Sequence, residues 1–246
     1  MFEQSLEGLA ALPRDQQISA LRQKMAMISG RVGAVKDADV PAADVISVPG
    51  GLGEALPQGG LARGSIVACR HPGLLPGLLA ATTGGGHFAA VIGGTRLGLL
   101  AVAELGGDLS RLALIDPRNG DPLEIASVLA DGLLLTVLDV GQLRVPPARG
   151  RALVSKIRGQ RGVLITTGAV TGLRADMEID ARVVGYTGIN RGTGRVHEIR
   201  LDVRVSGRNL RPRVSPLILS GHDGRSQWTT PATNSTAVVR RLSRAG

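Results

Sequence analysis

The stretch from Gly59 to Ala81 contains the residue types and spacing that come nearest to a chemical motif. It reads as a glycine-rich turn, a short buried strand over 65–69, a Pro/Gly loop and an apolar helix that opens near Leu78. A loop between such a strand and helix can hold phosphate under three conditions. Its glycines must let backbone N–H groups face the oxygens, a lysine must reach the β and γ phosphates, and a Ser/Thr hydroxyl must bind Mg²⁺.

Other residues occupy each of these positions. His71 and Pro76 stand where the two flanking glycines are expected, and proline also removes a backbone donor. Gly77 replaces the lysine and Leu78 replaces the hydroxyl residue. The stretch therefore predicts a nucleotide-binding scaffold with a degenerate phosphate loop, no bound cofactor and no catalytic residues.

The elements around this loop predict an α/β fold with a mostly parallel sheet flanked by helices. From Ile179 onward the apolar residues alternate with a period of two, which predicts an antiparallel edge hairpin with a turn-rich tip over 186–194. Apolar runs predict further strands over 88–92, 112–115, 133–140 and 162–167, and helices are predicted over 97–105, 122–130 and 151–161.

The chain is expected to divide into an N-terminal helical arm and linker (1–43), a core (44–206) and a flexible, basic C-terminal tail (207–246). The arm has one apolar stripe at helical spacing, which fits a helix docked either on its own domain or on a partner. This stripe consists of Ile18, Leu21, Met25 and Ile28.

Trp228, the only tryptophan, is expected to be a second partner-binding residue in the polar tail.

The positive charge is concentrated in the second part of the chain. From residue 141 onward there are 19 basic and 6 acidic residues, a difference of +13. Such asymmetry indicates a polyanion or an acidic partner, although a merely solvated surface explains it nearly as well. The candidates for contact with DNA are Arg144, Arg149, Arg151, Lys156, Arg158 and Arg161.

Other classes of site find little support in the sequence. The four histidines stand far apart without cysteine or carboxylate at ligand spacing, which argues against a metal site. A single cysteine, Cys69, excludes an internal disulfide and fits a reducing compartment. With neither a signal-peptide pattern nor an apolar run of about 18 residues, the expectation is a cytoplasmic protein that does not enter the membrane.

The order of these segments over roughly 46–205 resembles the RecA core. It resembles most closely two degenerate relatives, the ImuA-type accessory proteins of bacterial damage-inducible mutagenesis cassettes and the SulA cell-division inhibitors. The resemblance rests on Ile46-Ser47, on the run from Gly59 to Val67, and on the strand from His87 to Ile92.

The resemblance implies a non-catalytic adaptor for error-prone translesion DNA synthesis. Its partners would be a Y-family polymerase-like protein and a replicative-type polymerase, with possible contacts to DNA and to a second copy. Asp139 resembles the acid that organises the metal in this fold, and we expect it to hydrogen-bond the loop that begins at residue 70. Thr167 stands where recombinases carry a nucleotide-sensing amide. A SulA-like division inhibitor and an atypical RecA-like ATPase are the alternatives.

Overall fold

The computed structural model describes residues 44–94, 97–118, 120–190, 193–208 and 210–231. The predicted arm, 1–43, with its stripe of Ile18, Leu21, Met25 and Ile28, lies outside the described residues. The helices are α1 (Gly50–Ala55), α2 (Leu75–Gly84), α3 (Leu99–Glu104), α4 (Pro122–Leu129) and α5 (Pro147–Gly159). The strands are β1 (Val45–Ser47), β2 (Gly60–Ala62), β3 (Ile66–Cys69), β4 (Ala89–Gly93), β5 (Leu112–Ile115), β6 (Leu135–Asp139), β7 (Gln142–Arg144), β8 (Val163–Thr166), β9 (Ala169–Thr171), β10 (Met177–Asn190), β11 (Thr193–Gly207), β12 (Leu210–His222) and β13 (Arg225–Thr229).

Nine of these strands form one sheet, in the order β13-β12-β11-β10-β3-β8-β6-β4-β5. The six strands from β10 to β5 pair in parallel, and the four from β10 to β13 pair antiparallel. The central strands are short and apolar on both faces because helices cover them on both sides. The predicted α/β class, with a mostly parallel sheet and an antiparallel edge, is confirmed.

Two hydrophobic layers hold the helices on the sheet. One layer contains Leu52 of α1, Leu78 of α2 and Val102 of α3 with one set of alternating strand residues, such as Val67 and Ile165. The opposite layer joins α4 and α5 to the other set, in which Leu138 and Leu164 are fully buried. Because successive strand residues face opposite ways, the same short strands supply both layers. Among the described residues, no helix is long and apolar enough to cross a membrane.

The prediction of a flexible tail from residue 207 is wrong for most of that segment. Strands β12 and β13 extend the sheet beyond the predicted hairpin, with Leu217 opposite Leu201 and Leu219 opposite Trp228. Arginine-rich composition suggested a segment without a core, but Leu210, Leu217 and Leu219 of β12 pack in the main hydrophobic layer. The last 15 residues, 232–246, lie outside the described part.

Helix α1 explains how β13 is anchored. A Cβ on Gly51 would lie 2.5 Å from the backbone carbon of Thr229, a distance that real Cβ atoms essentially never show. Glycine at this position therefore lets the backbone of the helix touch that of the last strand. Arg213 of β12 also donates from its Nε to the carbonyl of Ala55, at 3.1 Å.

Candidate functional site

The loop after β3 lies at the carboxyl end of the parallel strands, where ligands bind in open α/β sheets. It forms a tight 3-10 turn over Pro72–Leu74, in which the Nδ1 atom of His71 accepts a hydrogen bond from the Gly73 N–H at 3.2 Å. Helix α2 then begins at Leu75, and the side chains of its first turn are buried. The backbone N–H of Gly73 is thus already hydrogen-bonded within the loop.

Trp228 of β13 packs against the position where a phosphate loop would carry its lysine. A Cβ built on Gly77 would lie 2.6 Å from the Nε1 atom of Trp228 and 3.0 Å from a methyl carbon of Leu52. A side chain at residue 77 would therefore require the indole or the helix to move. The protein's own last described strand fills the space beside this loop position.

The prediction of Trp228 as a partner-binding residue in a mobile tail is wrong. Its side chain is only 7% exposed and belongs to the main hydrophobic layer. Its Nε1 atom is buried, and no described residue accepts its hydrogen. Trp228 is therefore a packing residue, because its indole is buried and its neighbours are core residues.

Asp139 and Thr167 lie side by side, Asp139 at the end of β6 and Thr167 directly after β8. The Thr167 hydroxyl donates a short hydrogen bond to the Asp139 carboxylate, while the Asp139 carbonyl accepts from the Gly94 N–H at 3.1 Å. The expected bond from Asp139 to the loop that begins at residue 70 is not found among the described residues. The two polar groups that sequence reasoning placed at this edge satisfy each other instead.

A cavity of about 300 Å³ separates this pair from the loop. Apart from Asp139 and Thr167, the described residues that line it are apolar or glycine, so they offer no cation to a phosphate group. They are Pro72, Gly73, Leu75, Pro76, Leu97 and Gly98. The described side chains here suit neither triphosphate nor metal binding, and no cluster of potential metal ligands occurs anywhere in the described part of the chain.

Arg70 is a site residue that sequence reasoning missed. Its Nε donates to the Glu178 carboxylate and its Nη1 donates to the Gly168 carbonyl, each at 3.0 Å. The side chain therefore ties the ends of β3 and β8 to β10. Its position at a strand end was readable from the sequence, but its partners lie about a hundred residues away and had no local signal.

The six basic candidates, which lie on β7, on α5 and two residues after α5, do not form one free cationic face. Arg149 binds Asp121 at 2.5 Å, and Lys156 binds Asp131 at 2.7 Å. Arg158 binds Asp176 at 3.1 Å, and Arg161 forms an ion pair with Asp44.

These acidic partners come from four different segments, and each one pairs with a different basic residue. Arg144 and Arg151 are exposed, and neither has an ion-pair partner among the described residues. Exposed pairs of this kind contribute only about 0–1 kcal/mol each, but they neutralise the charge that DNA would meet. The surface is less cationic than the sequence suggests.

The pKa values of three described groups depart clearly from their usual range: those of Cys69, Asp121 and Asp108, the last lowered by its hydrogen bonds from Ser110. Burial raises the pKa of the Cys69 thiol to about 12, so it is protonated at neutral pH and is a packing residue. The hydrogen bond from Arg149, supported by the Leu123 N–H, lowers the pKa of Asp121. None of these groups lines the cavity.

Comparison with known proteins gives the same architecture. A crystal structure of the RadB recombinase superposes with a TM-score of 0.54, covering 74% of this chain and 98% of that one at 13% sequence identity. This likeness shows the fold alone and confirms the predicted RecA-like sheet.

Sequence comparison identifies the family. Residues 54–172 match the family model described as the MT3502 N-terminal domain. The uncharacterized protein Rv3395c of Mycobacterium tuberculosis is 38% identical over 205 residues, which cover 78% of this chain and 93% of that protein. At this identity and coverage, the chain belongs to the same protein family as Rv3395c.

Proposed function

We propose that the protein is a non-catalytic accessory factor for damage-induced, error-prone translesion DNA synthesis in the cytoplasm. It would link a Y-family polymerase-like protein to a replicative-type polymerase. The resemblance of residues 46–205 to ImuA-type proteins supports this assignment, and fold alone does not give function.

The observation that carries the proposal is the contact between Trp228 and Gly77. A nucleotide-using relative needs space and a cation at this loop position, whereas here an internal side chain fills that space. A scaffold with its phosphate loop packed in this way would act through contacts with other macromolecules. The atypical ATPase is correspondingly disfavoured by Pro76, Gly77 and Leu78.

The test is co-purification of the tagged, full-length chain from DNA-damaged cells of its own source organism. We expect the two polymerase components to be recovered with it. Leu21→Asp, on the predicted apolar stripe, should remove at least one of them, whereas Gln23→Asp introduces the same charge on the predicted polar side and should not.

Recovery of the tubulin-like division protein instead of the polymerases would favour the SulA-like alternative. Equal recovery of the polymerases by both variants would leave the adaptor role in place but would exclude the stripe as its contact. Circular dichroism of each variant checks that the core remains folded.

A further inference from the structure

The hairpin of β10 and β11 extends well past the strands that support it. Strand β10 pairs with β3 only from Met177 to Ile179, although it continues to Asn190. Strand β12 supports β11 only as far as Glu198. The distal residues 188–190 and 193–197 therefore form a two-stranded ribbon beyond the carboxyl edge of the parallel sheet, and Tyr186 and Thr187 lie at its base, opposite Ile199 and Glu198. We call this segment, with the adjoining residues from 181, the ribbon.

The ribbon exposes apolar side chains that the core leaves uncovered. Tyr186 is 58% exposed and Ile189 is 59% exposed, while Val184 and Val196 are each 45% exposed. Tyr186 is the only tyrosine of the chain. Clustered apolar exposure on a projecting element marks an interaction site more often than scattered exposure does.

The charge of the ribbon is mostly positive. The sequence from Ala181 to Glu198 contains three arginines and one carboxylate, that of Glu198, which accepts a hydrogen bond from the Thr187 hydroxyl. Arg195 is exposed near the ribbon's distal end, and Arg182 is exposed near its base, although Asp202 lies opposite Arg182 in the strand pairing. The ribbon thus differs from α5, whose basic residues largely face carboxylates.

A mostly basic ribbon with an exposed aromatic ring and arginine matches the chemistry of single-stranded nucleic acid. Such sites combine cations for the phosphates with aromatic faces on which bases stack, and this stacking does not depend on the base. A protein partner would also cover apolar residues, but the excess of arginine over carboxylate from Ala181 to Glu198 favours a polyanion.

We propose that the ribbon binds single-stranded DNA, with Tyr186 stacking on a base and Arg195 contacting a phosphate. This inference rests on the proposed role in DNA synthesis and assigns the DNA contact to a different surface from α5. The proposed contact is a binding contact only and involves no catalytic step.

The test is fluorescence anisotropy of a labelled 20-nucleotide oligothymidine with the purified full-length chain, over a series of salt concentrations. Tyr186→Ala should weaken binding by roughly 5- to 150-fold, and Tyr186→Phe should restore it because the ring is retained. Arg195→Gln should reduce the slope of log affinity against log salt by about 0.7.

Arg149→Gln is the matched control, since it removes the same charge from a residue already paired with Asp121. It should leave affinity nearly unchanged. The ribbon assignment is overturned if Tyr186→Ala and Arg195→Gln both bind as the unmodified chain does, whatever the effect of Arg149→Gln. Equal competition by unlabelled duplex DNA would overturn the stacking contact.

Failure of the unmodified chain to bind oligothymidine would overturn the inference as a whole. The co-purification experiment does not require this contact, so it would still report separately on the adaptor role. Circular dichroism distinguishes lost binding from lost folding, and exposed ribbon positions should tolerate substitution.

Discussion

Replacing Gly77 with alanine should reveal whether Trp228 fills the phosphate loop position. Alanine in a helix interior ordinarily stabilises a protein by about 0.5–1 kcal/mol relative to glycine. Here the new methyl group would lie 2.6 Å from the indole nitrogen. Overpacking of this kind costs about 1–3 kcal/mol, so we expect Gly77→Ala to lower the free energy of unfolding by roughly 0.5–2 kcal/mol.

Removing the indole should reverse the sign of that effect. Trp228→Ala alone should destabilise the protein by about 3–5 kcal/mol, the range for truncating a large buried aromatic. In this background the methyl group at Gly77 has space, because Leu52 can move into the vacated volume. Gly77→Ala should then stabilise the protein by about 0.5–1 kcal/mol. The double-mutant cycle would give a coupling free energy of roughly 1–3 kcal/mol.

Urea denaturation followed by far-ultraviolet circular dichroism measures all four proteins, since tryptophan fluorescence is lost in two of them. Gly159→Ala is the matched control, because nothing lies within 4 Å of a Cβ at that helical glycine. It should stabilise both backgrounds equally. A stabilising effect of Gly77→Ala in the unmodified protein, similar to that of Gly159→Ala, would refute the packing of Trp228 against the loop.

The perturbed pKa values of Cys69 and Asp121 give further predictions. Since burial raises the pKa of Cys69 to about 12, a thiol reagent at pH 8 should label the folded protein far more slowly than the protein in urea; equal rates would show an accessible thiol. The pKa of Asp121 is lowered by Arg149, so its stabilisation is present above the unfolded pKa and is lost as pH falls through the folded pKa. Asp121→Asn should therefore destabilise the protein at pH 7 and progressively less in acid, as measured by thermal melts; a pH-independent difference would contradict this origin.

The sequence was most informative for the short parallel strands. The predicted bounds of β5, the edge strand over 112–115, are those observed, and the apolar runs that became the buried strands β6 and β8 were found within two residues. Continuous apolar runs between glycines have few alternatives in a soluble fold. The degenerate loop was likewise readable, because the replaced residues stand at fixed spacing.

The sequence was least informative where a polar strand depends on a distant neighbour. Strand β12 exposes its arginines and buries only Leu217 fully, so its composition resembles that of a disordered segment. Its order comes from pairing with β11. Trp228 is buried for a similar reason, since β13 pairs with β12 at the edge of the sheet and packs against Gly77 of α2.

The ion pairs of α5, and that of Arg161 just after it, could not be predicted from the sequence for a related reason. Helical periodicity shows which arginines face outward, but it does not show which carboxylate lies opposite. Arg161 meets Asp44 from the other end of the described core, and Arg158 meets Asp176 in the loop before β10. Only the folded arrangement reveals that most of the predicted basic face is already neutralised.

Titration of the full-length chain with a fluorescent ATP analogue and Mg²⁺ tests most directly whether the loop has ceased to be a nucleotide site. The missing lysine and hydroxyl would each supply a bond of roughly 1.5–3 kcal/mol, so affinity should fall by about two to four orders of magnitude. We predict no saturable binding at micromolar concentrations, either for the unmodified protein or for Asp139→Ala. Micromolar, Mg²⁺-dependent binding that Asp139→Ala abolishes would contradict the assignment of this loop as a filled, non-catalytic scaffold.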